Sequence, residues 1–188
     1  MRKLNKSLAC MIRGKSIEEA IRFSFMNHKE KLSIPAAQNY ANDLYYLRTK
    51  HMPSNLVKFN ASPINILVKT GINLFYKIGI KKFENVESYR FNNRKKSIYV
   101  FPDFFSKSVK IDNKKFNNCC IELKISSNNS KRVNKKHVFQ CFRYSSKSRK
   151  SVILTYLFFN KKPESKGIYL VTPKIFIISN GKMSKFDI

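Results

Sequence analysis

Two short, nearly unbroken apolar runs constrain this chain more than anything else in it. Val152-Ile153-Leu154-Thr155-Tyr156-Leu157-Phe158-Phe159 is rich in β-branched and aromatic residues and far too short to cross a bilayer. The segment from Asn118 to Ile125 carries the second run, Cys119-Cys120-Ile121. A strand that is apolar at successive positions offers no face to water, so both segments belong in the middle of a sheet. A mixed α and β chain built around that sheet is the expectation.

The second run also holds Glu122-Leu123-Lys124, and Glu122 and Lys124 share one face of the strand because they are two apart. Another carboxylate, Asp103, follows Val100-Phe101-Pro102 at the end of an apolar segment. The chain has 38 Lys and Arg but only 11 Asp and Glu, so two acids in strand-like apolar settings are conspicuous. An isolated buried carboxylate is costly. A divalent cation would offset that cost, and two carboxylates, a main-chain carbonyl and a nearby lysine are the parts of a metal-dependent phosphodiesterase site.

The formal net charge of +27 makes polyanions the default partners, nucleic acid foremost. A/T-rich coding explains abundant Lys, Asn and Ile but not the deficit of acids. With 43% hydrophobic residues, 188 residues suffice for one domain and a small appendage. No apolar stretch approaches the roughly 20 residues of a membrane span, and Met1-Arg2-Lys3-Leu4-Asn5-Lys6 leads into no export segment, so an intracellular protein without a membrane partner is expected. Cys10, Cys119, Cys120 and Cys141 show neither CxxC pairing nor a histidine at zinc spacing, which favours buried thiols.

Residues 1–60 read as a helical extension. Ser16-Ile17-Glu18-Glu19 has the capping-box pattern and predicts a helix from there to about Asn27. Ser33-Ile34-Pro35 starts a second helix that ends near residue 50. As a helix-turn-helix, this pair would offer Gln38, Asn39, Asn42 and Arg48 to DNA; as a plain hairpin it would pack on the core. Residues 51 to 63 read as a linker. Residues 61–188 form the main domain: a helix from Ile64 to Ile80 with Gly79 near its C-cap, then a hairpin over Val86–Phe91 and Ser97–Phe101 turning at Asn92-Asn93-Arg94-Lys95, with Asp103 closing its second strand. The strand Asn118–Ile125, a helix from Val133 to about Ser146, the strand Ser151–Phe159, and outer strands at Ile168–Val171 and Ile175–Ile178 complete it.

In order and placement, Pro102-Asp103 and Glu122-Leu123-Lys124 resemble the signature of the PD-(D/E)xK nuclease superfamily. Gln140-Cys141-Phe142-Arg143-Tyr144 on the next helix is similar to the QxxxY motif of its RecB-like and lambda-exonuclease-like branch. The resemblance covers about half the chain and implies a restriction-endonuclease-like αβββαβ core behind the N-terminal helical hairpin. It implies a DNA nuclease using Mg²⁺ or Mn²⁺, with Asp103, Glu122 and the Leu123 main-chain carbonyl as ligands and Lys124 as the catalytic lysine. Gln140, Tyr144, Lys136, Lys135, Arg132 and Arg143 would contact nucleic acid, with Phe139, Phe142 and Val138 on the core side. Many members add a Glu or His from the first core helix; Ile64–Ile80 has neither, and Glu87, or Glu84, is the substitute. No cysteine follows Cys141, so no iron–sulfur cluster is expected. Exonuclease and endonuclease action, oligomeric state, and a non-catalytic basic DNA-binding or capsid-associated protein all stay open. His28, His51 and His137 are left without a role.

Overall fold

The computed structural model describes residues 2–26, 33–86, 88–93, 96–127, 132–161 and 168–186, with the side chains of 2–6, 26, 91–93, 96–100 and 161 outside the description. Four helices come first: α1 (Arg2–Met26), α2 (Ile34–Thr49), α3 (Ser54–Ala61) and α4 (Ile64–Lys77). There follow β1 (Tyr89–Asn93), β2 (Lys96–Val100), β3 (Phe104–Ile111), β4 (Lys114–Ser126), α5 (Lys135–Ser148), β5 (Val152–Lys161), β6 (Tyr169–Ser179) and β7 (Lys182–Phe186). Strands β3 to β7 make a five-stranded sheet in sequence order, and β1 with β2 makes a separate two-stranded one. Within the larger sheet only β4 and β5 run parallel, joined through α5, so the sheet is mixed and the chain is α+β.

The apolar runs sit where their composition requires. Residues Val152 to Phe159 are all buried, and alternate side chains enter opposite cores. On one face Cys119, Ile121, Leu123, Ile153 and Leu157 pack with Ile17, Ile21, Leu67, Ile72 and Phe75 from α1 and α4. On the other, Cys120, Val152, Leu154, Tyr156 and Phe158 pack with Cys141 and Tyr144 of α5.

Several boundaries differ from those the sequence predicts. Helix α1 begins at Arg2, well before Ser16, which lies buried within it rather than capping it; burial of Ile17, Ala20, Ile21 and Phe25 decides the matter over the local capping pattern. These residues share a core with Phe104 and Ile153, so α1 packs directly on the sheet. The expected linker contains α3. Helix α2 starts as expected, with the Ser33 hydroxyl accepting from the Ala36 N–H. Three of the four residues it would offer to DNA are spent internally, Gln38 donating to the Asn65 carbonyl, Asn42 to the Asn65 side chain and Arg48 to Glu19, while Asn39 is exposed.

Strand β2 ends at Val100, so Asp103 does not close it; Asp103 instead immediately precedes β3, a strand absent from the expectation. Asp112 and Asn113 have φ of 47° and 62° and form the tight turn into β4, which pairs antiparallel with β3. The two outer strands are one, β6, running through Pro173. Strand β7 pairs only with Ile175–Ser179, so the missing N–H of Pro173 interrupts no ladder on that side. Asn180-Gly181, both with positive φ, turns β6 into the unforeseen β7.

Candidate functional site

The site arises where two paired strands part. Strand β3 begins at Phe104 opposite Ile121, so from Glu122 onward β4 is paired only with β5. The Leu123 N–H freed by that ending donates to Asp103 Oδ2 at 2.8 Å. In an extended strand the N–H and C=O of one residue point to the same side, so the Leu123 carbonyl also faces this gap. Helix α1 closes the gap, leaving a cleft of about 320 Å³ lined by Lys15 and Glu18 from α1, Asp103 just before β3, Leu123 and Lys124 from β4, and His137 from α5.

The two strand carboxylates are both buried, Asp103 at 8% exposure and Glu122 at 1%. Lys124 serves both. Its ammonium donates to Glu122 Oε1 and lies 3.9 Å from Asp103 Oδ2. Gln140 Nε2 also donates to Glu122 Oε1, at 3.0 Å, leaving Glu122 Oε2 buried and without a hydrogen-bond partner. Such an orphaned acceptor is costly unless a cation or water reaches it. Burial, then the charge of Glu122, pushes the Asp103 carboxyl up to about 6. Burial likewise raises Glu122, against the pull of Lys124. Burial works against the charge on Lys124, but Asp103 and Glu122 outweigh it and hold the ammonium above its ordinary range.

A third acid, Glu18, completes the polar wall and had no place among the expected site residues. Lys15 Nζ lies 2.7 Å from Glu18 Oε2 and 4.0 Å from Asp103 Oδ1. Arg22 ties the same groups together, 3.4 Å from Glu18 Oε1 and donating to the Asp103 main-chain carbonyl. Burial and then Asp103 raise the Glu18 carboxyl. Glu18 thus brings an acid of α1 close to Asp103, where the helix Ile64–Ile80 supplies none. Its approach to Asp103 joins residues far apart in sequence, and no local pattern announces it. Glu84 is bound elsewhere, 3.7 Å from Lys107, while Glu87 lies outside the described residues.

Gln140 and Tyr144 do share a face of α5, as their spacing requires. Gln140 donates to the Tyr144 hydroxyl, and that hydroxyl donates to the Phe101 carbonyl at 3.0 Å. At 1% exposure Tyr144 does not meet a nucleic acid as expected; it fixes the segment leading to Asp103. Phe139 departs from expectation too: it is 60% exposed, with the Arg143 guanidinium 4.8 Å above its ring. Arg132, Lys135, Lys136 and Arg143 are exposed on and before α5.

Among the described residues, no three His, Cys, Asp or Glu side chains gather closely enough to hold a metal by themselves. The orphaned Glu122 oxygen, Asp103 and the Leu123 carbonyl nevertheless fit a cation held by two carboxylates, one main-chain oxygen and water. The four cysteines form no disulfide, and burial pushes the Cys119 thiol up to about 12. Among the described residues, no helix is long and apolar enough to cross a membrane.

No family model matches the sequence, and no curated protein is significantly similar to it. Among solved structures, the crystal structure of SSO0001 aligns at a TM-score of 0.38 with 13% identity, over 85% of this chain and 65% of that one. The chain therefore spans less than two thirds of that neighbour, and a likeness at this level carries no weight.

Proposed function

We propose that this chain is a divalent-metal-dependent nuclease acting on DNA, in the manner of the PD-(D/E)xK enzymes. The observation that carries the reading is the meeting of Asp103, Glu122 and Lys124 at the β3–β4 divergence. Two of only 11 acidic residues, Glu18 and Asp103, line one small cleft in a chain of net charge +27, and a third, Glu122, lies buried behind it against Lys124. A fold needing only stability gains little from such a cluster, because burying charges costs about as much as pairing them returns.

Asp103, Glu122 and the Leu123 carbonyl would hold Mg²⁺ or Mn²⁺, which supplies hydroxide near neutral pH and neutralises phosphoryl charge. Gln140 keeps Glu122 in one rotamer, and Tyr144 holds the Phe101–Asp103 segment in register. Lys124 donates to the attacking water or to a non-bridging oxygen as negative charge develops. Glu18, anchored by Lys15 and Arg22, orients water on the α1 side. Arg132, Lys135, Lys136 and Arg143 attract the backbone without reading sequence.

The test is incubation of linear and covalently closed circular DNA with Mg²⁺, Mn²⁺ or EDTA, using the wild-type chain beside Asp103→Ala and Glu122→Ala. Cleavage that needs the metal and drops on the order of 10²–10³-fold in each variant is expected. Undiminished cutting in both variants sinks the site, and metal-independent binding without cutting points to a non-catalytic DNA-binding protein. Cutting of closed circles selects an endonuclease. Lys124→Ala loses cleavage while keeping DNA affinity, since one lysine among 38 basic residues adds little to the overall attraction.

A further inference from the structure

His137, without a role in the sequence, has a hydrogen-bond partner and a place in the cleft in the structure. It is in the first turn of α5 and lines the cleft with Lys124, Leu123 and Lys15. Its Nδ1 is 2.7 Å from the Tyr156 hydroxyl. That hydroxyl accepts from the Asn134 N–H at 3.1 Å, and Tyr156 is buried in the central strand. A buried phenol needs an acceptor for its own proton, and Nδ1 is the acceptor within reach. With the phenol proton directed at it, Nδ1 is the unprotonated nitrogen and the ring carries its hydrogen on Nε2, the tautomer that the proposal below uses.

The neighbourhood maintains that state. Burial, then the charge of Lys124, lowers the His137 pKa, which favours the neutral ring. A neutral Nε2–H is a donor of fixed direction that adds no positive charge beside an ammonium already committed to two carboxylates. Asn134 serves both ends of the device. Its side chain caps α5 by accepting from the Lys136 N–H, and its own N–H holds Tyr156.

We propose that His137 is a phosphate-contact residue: its Nε2–H donates to a non-bridging oxygen of the nucleotide next to the one facing Lys124. This rests on the nuclease reading for the identity of the ligand. Tyr156 acts through His137 and is a positioning residue. Sequence independence follows, because a phosphate oxygen is the same at every step of a strand.

The test is equilibrium affinity for a short DNA duplex in EDTA, with salt raised until diffuse Lys and Arg contacts weaken. His137→Phe should bind about tenfold more weakly. His137→Gln, whose amide nitrogen falls near Nε2, should recover most of that loss, whereas His137→Asn, whose amide falls near Nδ1, should not. Lys136→Ala should flatten the dependence of log affinity on log salt by about 0.9, and His137→Phe should leave that slope unchanged because no counterion is released at a neutral group. Nitrogen-15 spectra at neutral pH should show the Nε2–H tautomer in the wild-type chain and a mixture in Tyr156→Phe. An Nδ1–H or charged ring in the wild-type chain, equal affinity for Phe and Gln variants, or a changed salt slope overturns the proposal. Should His137→Phe fail to fold, the Gln and Asn pair decides. None of these readouts needs cleavage, so failure of the nuclease reading leaves them intact.

Discussion

Strand β4 turns alternate residues toward two unlike surroundings. Cys119, Ile121 and Leu123 enter a core made by α1 to α4, where partners are aliphatic and aromatic and the requirement is volume. Cys120 and Glu122 face α5, where Gln140 and Tyr144 add hydrogen bonds and one carboxylate oxygen is left without any. One strand therefore carries both the stability of the fold and the chemistry of the site, separated by the two-residue alternation of its side chains. The first face tolerates changes of chemistry better than changes of size, and the second the reverse.

The largest effect expected of that difference lies in a pair of adjacent substitutions. Ile121→Ala should cost about 2–5 kcal/mol in urea denaturation, because Ile121 is fully buried and leaves a cavity. Glu122→Gln keeps the volume and leaves Asp103 as a partner for Lys124, so its midpoint at pH 7 should fall by less than that of Ile121→Ala. Equal destabilisation by both would erase the distinction between the faces. On the packed face, Gly71→Ala should cost about 1–3 kcal/mol, since a Cβ there would lie 2.5 Å from the Ile21 Cδ1. That is a clash with a side-chain tip, and Ile21→Val in the same chain should relieve part of it. On the polar face, Tyr144→Phe should cost about 1 kcal/mol by stranding the Phe101 carbonyl, and should reduce cleavage by more than its loss of stability explains.

The smallest effect is a slope with pH. The folded Asp103 carboxyl binds its proton more tightly than the unfolded one, whose pKa is near 3.8 against about 6 in the fold. Stability of the metal-free protein should therefore fall as pH rises from about 4 to about 6, the contribution being complete below the unfolded value. Lys124 and the Leu123 N–H oppose the shift, and the value of about 6 is what remains after them. Thermal melts should show it in the wild-type chain and show it flattened in Asp103→Asn. A rise in stability across that window would mean that Asp103 is held ionised.

What was legible in the sequence is what local chemistry dictates. The central strands announced themselves because continuous apolar residues admit no exposed face, and Glu122 stood out because a carboxylate in such a strand demands a partner. The start of α2 was readable from Ser33 and Pro35, both of which act within one turn. The parts that stayed hidden depend on distant contacts. Before Ser16, helix α1 buries Ala9 and Arg13 against distant parts of the fold, so neither its length nor the approach of Glu18 to Asp103 could be read from its own residues. Strand β3 mixes Lys107 and Lys110 with apolar residues and gains its identity from pairing with β4. Strand β7 is almost wholly exposed; its signal was the Asn180-Gly181 turn before it. His137 acquires meaning only beside Tyr156, 19 residues away.

The central claim is that Asp103 and Glu122 are held together for one divalent cation, and calorimetric titration of Mn²⁺ into the metal-free protein tests it most directly. The account predicts saturable binding to the wild-type chain at about pH 7.5, weaker binding at about pH 5 where protons compete, and loss of that binding in Asp103→Asn and Glu122→Gln chains that still melt cooperatively. Mn²⁺ binding of equal affinity in all three would contradict it.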